Sequence, residues 1–128
     1  MEKIKLDLII ERAQDDLAGR VTYNNNLIVD HAGSVNELEN QLKQLLFDFE
    51  DLDPSKIEFE HYYDVYSLFE QFDFLNISKV AKHAGINAGL LRQYESGVKH
   101  PSAQQAKKIE DTIHKLAGLM NSVLVYAE

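Results

Sequence analysis

Apolar and polar residues alternate through KIKLDLIIE, residues 3 to 11, with Ile4, Leu6, Leu8 and Ile10 on one face and Lys3, Lys5, Asp7 and Glu11 on the other. A period of two is that of a strand covered on one side. After the polar turn Gln14 to Asp16, residues 17 to 23 set Gly19, Val21 and Tyr23 opposite Arg20 and Thr22, which predicts a second strand. Asn24, Asn25 and Asn26 tolerate left-handed backbone and predict a hairpin into a third strand, Leu27 to Asp30. The period then lengthens. Leu38, Leu42, Leu45, Leu46 and Phe49 recur at spacings of three and four, which places them on one helix face. Ser34 and Glu37 fit a capping box that starts this helix at Val35, and Asp53-Pro54 closes the segment. Alternation returns in IEFEHYY, residues 57 to 63, a fourth strand, before Asp64 caps a helix running to about Phe74.

Residues 76 to 97, NISKVAKHAGINAGLLRQYESG, read as two short helices joined by a tight turn. Val80, Ala81 and Ala84 keep helical spacing until Gly85, whose missing Cβ permits the left-handed conformation that ends a helix. Asn87 caps the next helix, which turns Leu91 and Tyr94 inward and leaves Asn87, Ala88, Gly89, Arg92 and Gln93 outside. An outward face of this kind suits a DNA major groove. Ser102 and Gln105 form a second capping-box pair after Pro101. The stripe Ala106, Ile109, Ile113, Leu116 and Met120 then predicts a long helix that packs on the two short ones and reaches far enough to pair two subunits. Residues 123 to 126, VLVY, are compatible with a terminal strand that pairs with another subunit.

The net charge of −8 argues at first against DNA, since phosphate binding draws on cationic side chains. The charge is divided, however: residues 1 to 75 hold 6 Lys and Arg against 17 Asp and Glu, and residues 76 to 128 hold 7 against 4. The second part is equipped to meet phosphates, the first to attract a basic partner or to repel DNA. The absence of cysteine excludes a disulfide framework and cysteine-ligated metal and suits a reducing cytoplasm. No apolar run reaches membrane-spanning length and the first residues do not resemble a signal peptide. The expected protein is cytoplasmic, with no membrane partner.

GINAGLLRQYESG, followed by Lys99, Pro101 and Ser102, resembles the second half of a lambda-repressor-like (Xre-type) helix-turn-helix over residues 64 to 118. The resemblance implies base contacts from Asn87, Arg92 and Gln93, and phosphate contacts from Ser78, Lys79, Lys82, Lys99 and His100. It gives Glu95 a structural role and lays the loop Ser96 to His100 along the DNA backbone. Ile77 stands where the family usually has a phosphate-touching glutamine, and Ala88 and Gly89 are too short for bidentate bonds to a base edge. Direct readout therefore rests on Arg92, Gln93 and Asn87.

The N-terminal order of strand, strand, strand, helix, strand, with GSVNELENQLKQLL after the third strand, resembles the HicB-type antitoxins. Asn24 to Asn26 replace the family's proline-glycine motif, and Gly33-Ser34-Val35 its Gly-Asp-Thr entry. The implied fold is α+β: a β-β-β-α-β partial ribonuclease-H-like domain over residues 1 to 63, then an all-α helix-turn-helix domain over residues 64 to 128. The implied function is that of a sequence-specific transcriptional regulator, an antitoxin that binds double-stranded DNA as a homodimer or higher homo-oligomer. Such a protein neutralises a small basic ribonuclease toxin and represses its own operon. Two alternatives stay open: a stand-alone regulator with a degenerate or ligand-sensing N-terminal domain, and a protein-interaction module without DNA binding.

An enzyme is not expected. Asp7, Asp30 and Glu60 are the carboxylates such a sheet would offer to magnesium, but acidic residues on outer strand faces are usually solvated. His31, His61, His83, His100 and His114 show no metal-ligand spacing, and no nucleophile setting or phosphate loop is present, so neither metal nor cofactor is expected.

Overall fold

The strand with the strictest alternation, β1 (Ile4–Arg12), lies inside a sheet. The computed structural model describes residues 2 to 128, a mixed α+β fold with one four-stranded sheet and five helices. With β2 (Leu17–Tyr23), β3 (Asn26–Ala32) and β4 (Ile57–Tyr63), the strand order is β3-β2-β1-β4. The first three strands are antiparallel neighbours; β4 runs parallel to β1, from Ile4 opposite Ile57 to Ile10 opposite Tyr63. A parallel pair needs a long crossover, and α1 (Val35–Glu50) supplies it. Tyr23 pairs with Asn26, so the hairpin loop is Asn24-Asn25, and both have positive φ (52° and 65°), as a type I′ turn requires.

Ser34 Oγ accepts the Glu37 amide at 3.2 Å and starts α1 where the sequence places it. Val35, Leu38, Leu42 and Leu46 are buried with Leu6, Leu8, Ile10, Val21, Ile57 and Phe59. The end of α1 differs from expectation. Asp51 takes a left-handed conformation (φ 54°) and its amide donates to the Phe47 carbonyl at 3.2 Å, an αL stop, and the next amide, Leu52, donates back to the Leu46 carbonyl at 3.2 Å. Leu52, folded back by that stop, is buried at this end of the core, and Phe49 is left 74% exposed instead of completing the stripe. Asp53-Pro54 begins a separate turn of 3-10 helix, Pro54–Lys56, rather than ending α1.

α2 (Val65–Gln71) stops short of Phe74. Asp64 binds the start of α2 to β1: it accepts the Ser67 and Arg12 amides at 2.8 Å each, and its own amide donates to the Ile10 carbonyl at 3.0 Å. The chain divides into two compact units after Gln71, so α2 belongs with the sheet, whereas the sequence pattern places the division after residue 63.

The second unit holds α3 (Ile77–Ala84), α4 (Ala88–Ser96) and α5 (Ala103–Asn121). Val80, Ala81, Ile86, Leu91, Tyr94 and Ile109 are buried, and α3 packs on both α4 and α5. Only part of the α5 stripe is covered: Ile109 is buried with Thr112, Ile113 and Leu116 are half-buried, and Ala106 and Met120 are exposed. Helix length explains this, since eight residues of α3 span about 12 Å and nineteen of α5 about 28 Å. Ser102 Oγ accepts the Gln105 amide at 3.2 Å, but Gln105 Oε1 is buried without a partner, so the return half of that capping box is not made. Residues 123 to 128 are exposed and form no strand within the chain.

Candidate nucleic-acid interface

Local rules set the geometry of α3 and α4. Asn76 Oδ1 accepts the Lys79 amide at 3.0 Å and starts α3; Gly85, at φ 70°, ends it. The Ile86 amide donates to the Ala81 carbonyl at 2.9 Å, which drops the Ile86 side chain into the core. Asn87 Oδ1 then accepts the Leu90 amide at 3.2 Å and starts α4 after a turn of only three residues. That bond commits the Asn87 oxygen, and its two Nδ2 hydrogens remain to meet a base edge.

On α4, Leu91 and Tyr94 are buried, and Asn87, Gly89, Arg92 and Gln93 are exposed; Ala88, expected outside, is half-buried. On α3, Ser78, Lys79 and Lys82 are exposed, with Ser78 and Lys82 four residues apart on one helix face. The Arg92 guanidinium donates to Ser78 Oγ, joining a residue expected at bases to one expected at phosphate. This contact crosses fourteen residues and a turn, and no local pattern in the sequence announces it. It lays a cation beside the first turn of α3, whose unpaired amides favour an anion.

The chain after α4 folds back on it. Gly97 has φ 84°, and the Lys99 amide donates to the Gln93 carbonyl at 3.1 Å, placing Lys99 next to the end of α4. His100 is exposed in the same loop. Among the described residues, Lys79, Lys82, Arg92 and Lys99 have no carboxylate within ion-pair distance, whereas Lys107 on α5 is held at 3.1 Å by both Glu110 and Asp111. Those carboxylates raise the Lys107 pKa and offset its charge locally. Lys79, Lys82, Arg92 and Lys99 thus offer four cations on α3, α4 and the following loop, an arrangement able to bind phosphate oxygens, and Lys108 and Lys115 on α5 are exposed as well.

The three carboxylates considered for metal chemistry are not brought together. Asp7 and Glu60 are register partners across β1 and β4 on the outer face of the sheet, and Asp30, in step with half-buried Ile28 and buried Ala32, lies on the opposite face. Among the described residues no three His, Asp or Glu side chains are placed to hold a metal, and no helix is long and apolar enough to cross a membrane. No family model, curated protein or solved structure matches the chain.

Proposed function

We propose that the chain is a sequence-specific DNA-binding transcriptional regulator in which α3, the turn 85 to 87 and α4 act as a helix-turn-helix of the lambda-repressor-like type. The observation that carries this reading is the exposed ridge on which Arg92 is held at Ser78 while Lys79, Lys82 and Lys99 have no carboxylate partner among the described residues. Arg92, Gln93 and the Asn87 amide nitrogen read base edges; Ser78, Lys79, Lys82, Lys99 and His100 hold phosphates. The sheet unit is a partial ribonuclease-H-like domain of HicB type, a reading supported by the β3-α1-β4 crossover that sets β4 parallel to β1. Its excess of carboxylates fits a small basic ribonuclease toxin, which the protein neutralises in the cytoplasm while repressing its own operon as a homodimer or higher homo-oligomer.

Selection from a random duplex library with the full chain tests the reading. Enrichment of one sequence that survives competition at physiological salt is the expected result. Recovered duplexes that share no sequence would leave a protein-interaction module in its place.

One observation favours a second reading. The outer face of the sheet bears an open cleft of about 360 Å³ lined by Lys5, Asp7, Ile9, Arg20 and Thr22, room for a small polar ligand. In that reading the sheet unit senses a ligand in a stand-alone regulator. Copurification of a small basic protein from native cells decides for the antitoxin; operator affinity that changes with a small molecule, and no such protein, decides for the sensor.

A further inference from the structure

β3 is an edge strand: β2 pairs with one side of it and no strand covers the other. Tyr23 and Asn26 close a two-residue hairpin, so they exchange both backbone bonds, and every second residue of β3 does the same with β2. Asn26, Ile28, Asp30 and Ala32 therefore turn their amides and carbonyls to β2, while Leu27, Val29 and His31 turn theirs outward. His31 agrees with this phase: its amide donates to Asp30 Oδ1 and its carbonyl accepts from Gln41 Nε2, both at 2.8 Å. One end of the edge is thus closed by side chains. At Leu27 and Val29 the outward groups have no such partner among the described residues, and their side chains are 63% and 48% exposed.

Natural sheets guard an open edge with Lys, Pro or a bulge. Leu27 to Val29 carries none of these. We propose that this edge is a docking strand for an extended segment of a partner protein, one whose side chains alternate between apolar and Lys or Arg. The inference rests on the reading of the sheet unit as the part that meets a basic protein, and adds the place and manner of contact. It does not rest on DNA binding.

Charge selects the occupant. Glu37, Gln41, Gln44 and Asp48 share one face of α1, and the Gln41 bond to His31 sets that face beside β3. Asn26 Nδ2 donates to Glu50 Oε1 at 2.6 Å, which brings a further carboxylate to the start of the strand. The one cation of α1, Lys43, lies over the Phe59 ring on the β4 side. Side chains of an added strand alternate between the two faces of the sheet. Every second one meets Leu27 and Val29 on the outer face, where an apolar group takes both out of water. Those between meet the carboxylates, where Lys or Arg is favoured. A second copy of β3 would set the same carboxylates against each other, so a basic segment fits where a second copy does not.

Fluorescence anisotropy of a labelled peptide of about eight residues, alternating Val and Lys, titrated with the full chain tests the proposal. Saturable binding below about 1 mM is expected. Val29→Pro removes the outward amide and leaves the pairing with β2 intact; Val29→Lys keeps the backbone and adds the charge that guards natural edges. Each keeps the parent's far-ultraviolet circular dichroism and weakens binding by at least about 10-fold, the scale of one hydrogen-bonding group left unpaired. Tyr62→Lys, at a position 49% exposed on the opposite edge strand, leaves binding unchanged. A parent that binds no peptide, a folded Val29 variant that binds like the parent, or equal weakening by Tyr62→Lys overturns the proposal. Copurification from native cells separates it from the antitoxin reading. A small basic ribonuclease retained equally by parent and Val29→Lys overturns the inference and keeps the antitoxin. A basic partner that is lost with Val29→Lys and has no ribonuclease activity keeps the inference and removes the toxin.

Discussion

α1 presents Val35, Leu38, Leu42 and Leu46 to a sheet that covers all four, whereas α5 presents Ile109, Ile113, Leu116 and Met120 to an eight-residue helix that buries only the first. Both helices have apolar stripes of the same period. A stripe therefore fixes which face turns inward, while the length of the element opposite decides how much of it leaves water. In the sheet unit the stripe is spent on the core. In the helical unit its second half stays partly or wholly in water.

Leu42→Ala should break the first half of this comparison. Leu42 is fully buried, and truncation costs about 2 to 5 kcal/mol as transfer and cavity terms add. Urea unfolding of the full chain checks this, and a loss below about 1 kcal/mol would mean that α1 is not seated as described. Gly19→Ala tests the closeness of α1 to β2. A Cβ at Gly19 would lie 2.6 Å from Leu38 Cδ2 and 2.9 Å from its Cγ, so the fully buried Leu38 side chain would have to shift. Overpacking of this kind costs about 1 to 3 kcal/mol. On α5, Leu119→Ala should change unfolding at low concentration by no more than about 0.5 kcal/mol, because its side chain is already mostly in water. A large loss there would erase the contrast between the two helices.

The smallest effect is a pH dependence on the α1 side. Burial, with a lesser contribution from the Glu39 charge, raises the Tyr63 pKa above the usual tyrosine range. The fold thus favours the neutral phenol. Its contribution to stability is full below the unfolded pKa, near pH 10, and is lost as pH rises through the higher folded value. Absorbance titration should show a late component that Tyr63→Phe removes.

Most element starts were legible because the signals are local. Ser34, Asn87 and Ser102 each cap the helix their position announces, and Asn24-Asn25 make the turn that left-handed tolerance permits. The misreadings are non-local. Phe49 has core spacing, but Leu52 reaches the end of the core through an Asp51 conformation that Asp seldom adopts. Gly19 was readable as a strand residue; that it makes room for Leu38 depends on where α1 lands. The hydrogen bonds that tie Asp64 to Arg12 and Ile10, more than fifty residues away, were likewise not announced by any local pattern. In the candidate site, exposure of Arg92 and Gln93 follows from helical period, whereas the Arg92 bond to Ser78 depends on how α3 and α4 pack.

We propose above that α4 reads DNA. Fluorescence anisotropy of the full chain and of Arg92→Ala, on the selected duplex and on an unrelated one, tests it most directly. Arg92→Ala should lose about 1 to 3 kcal/mol on the selected duplex and little on the unrelated one, so that specificity relaxes. Equal binding by parent and variant on the selected duplex would contradict it.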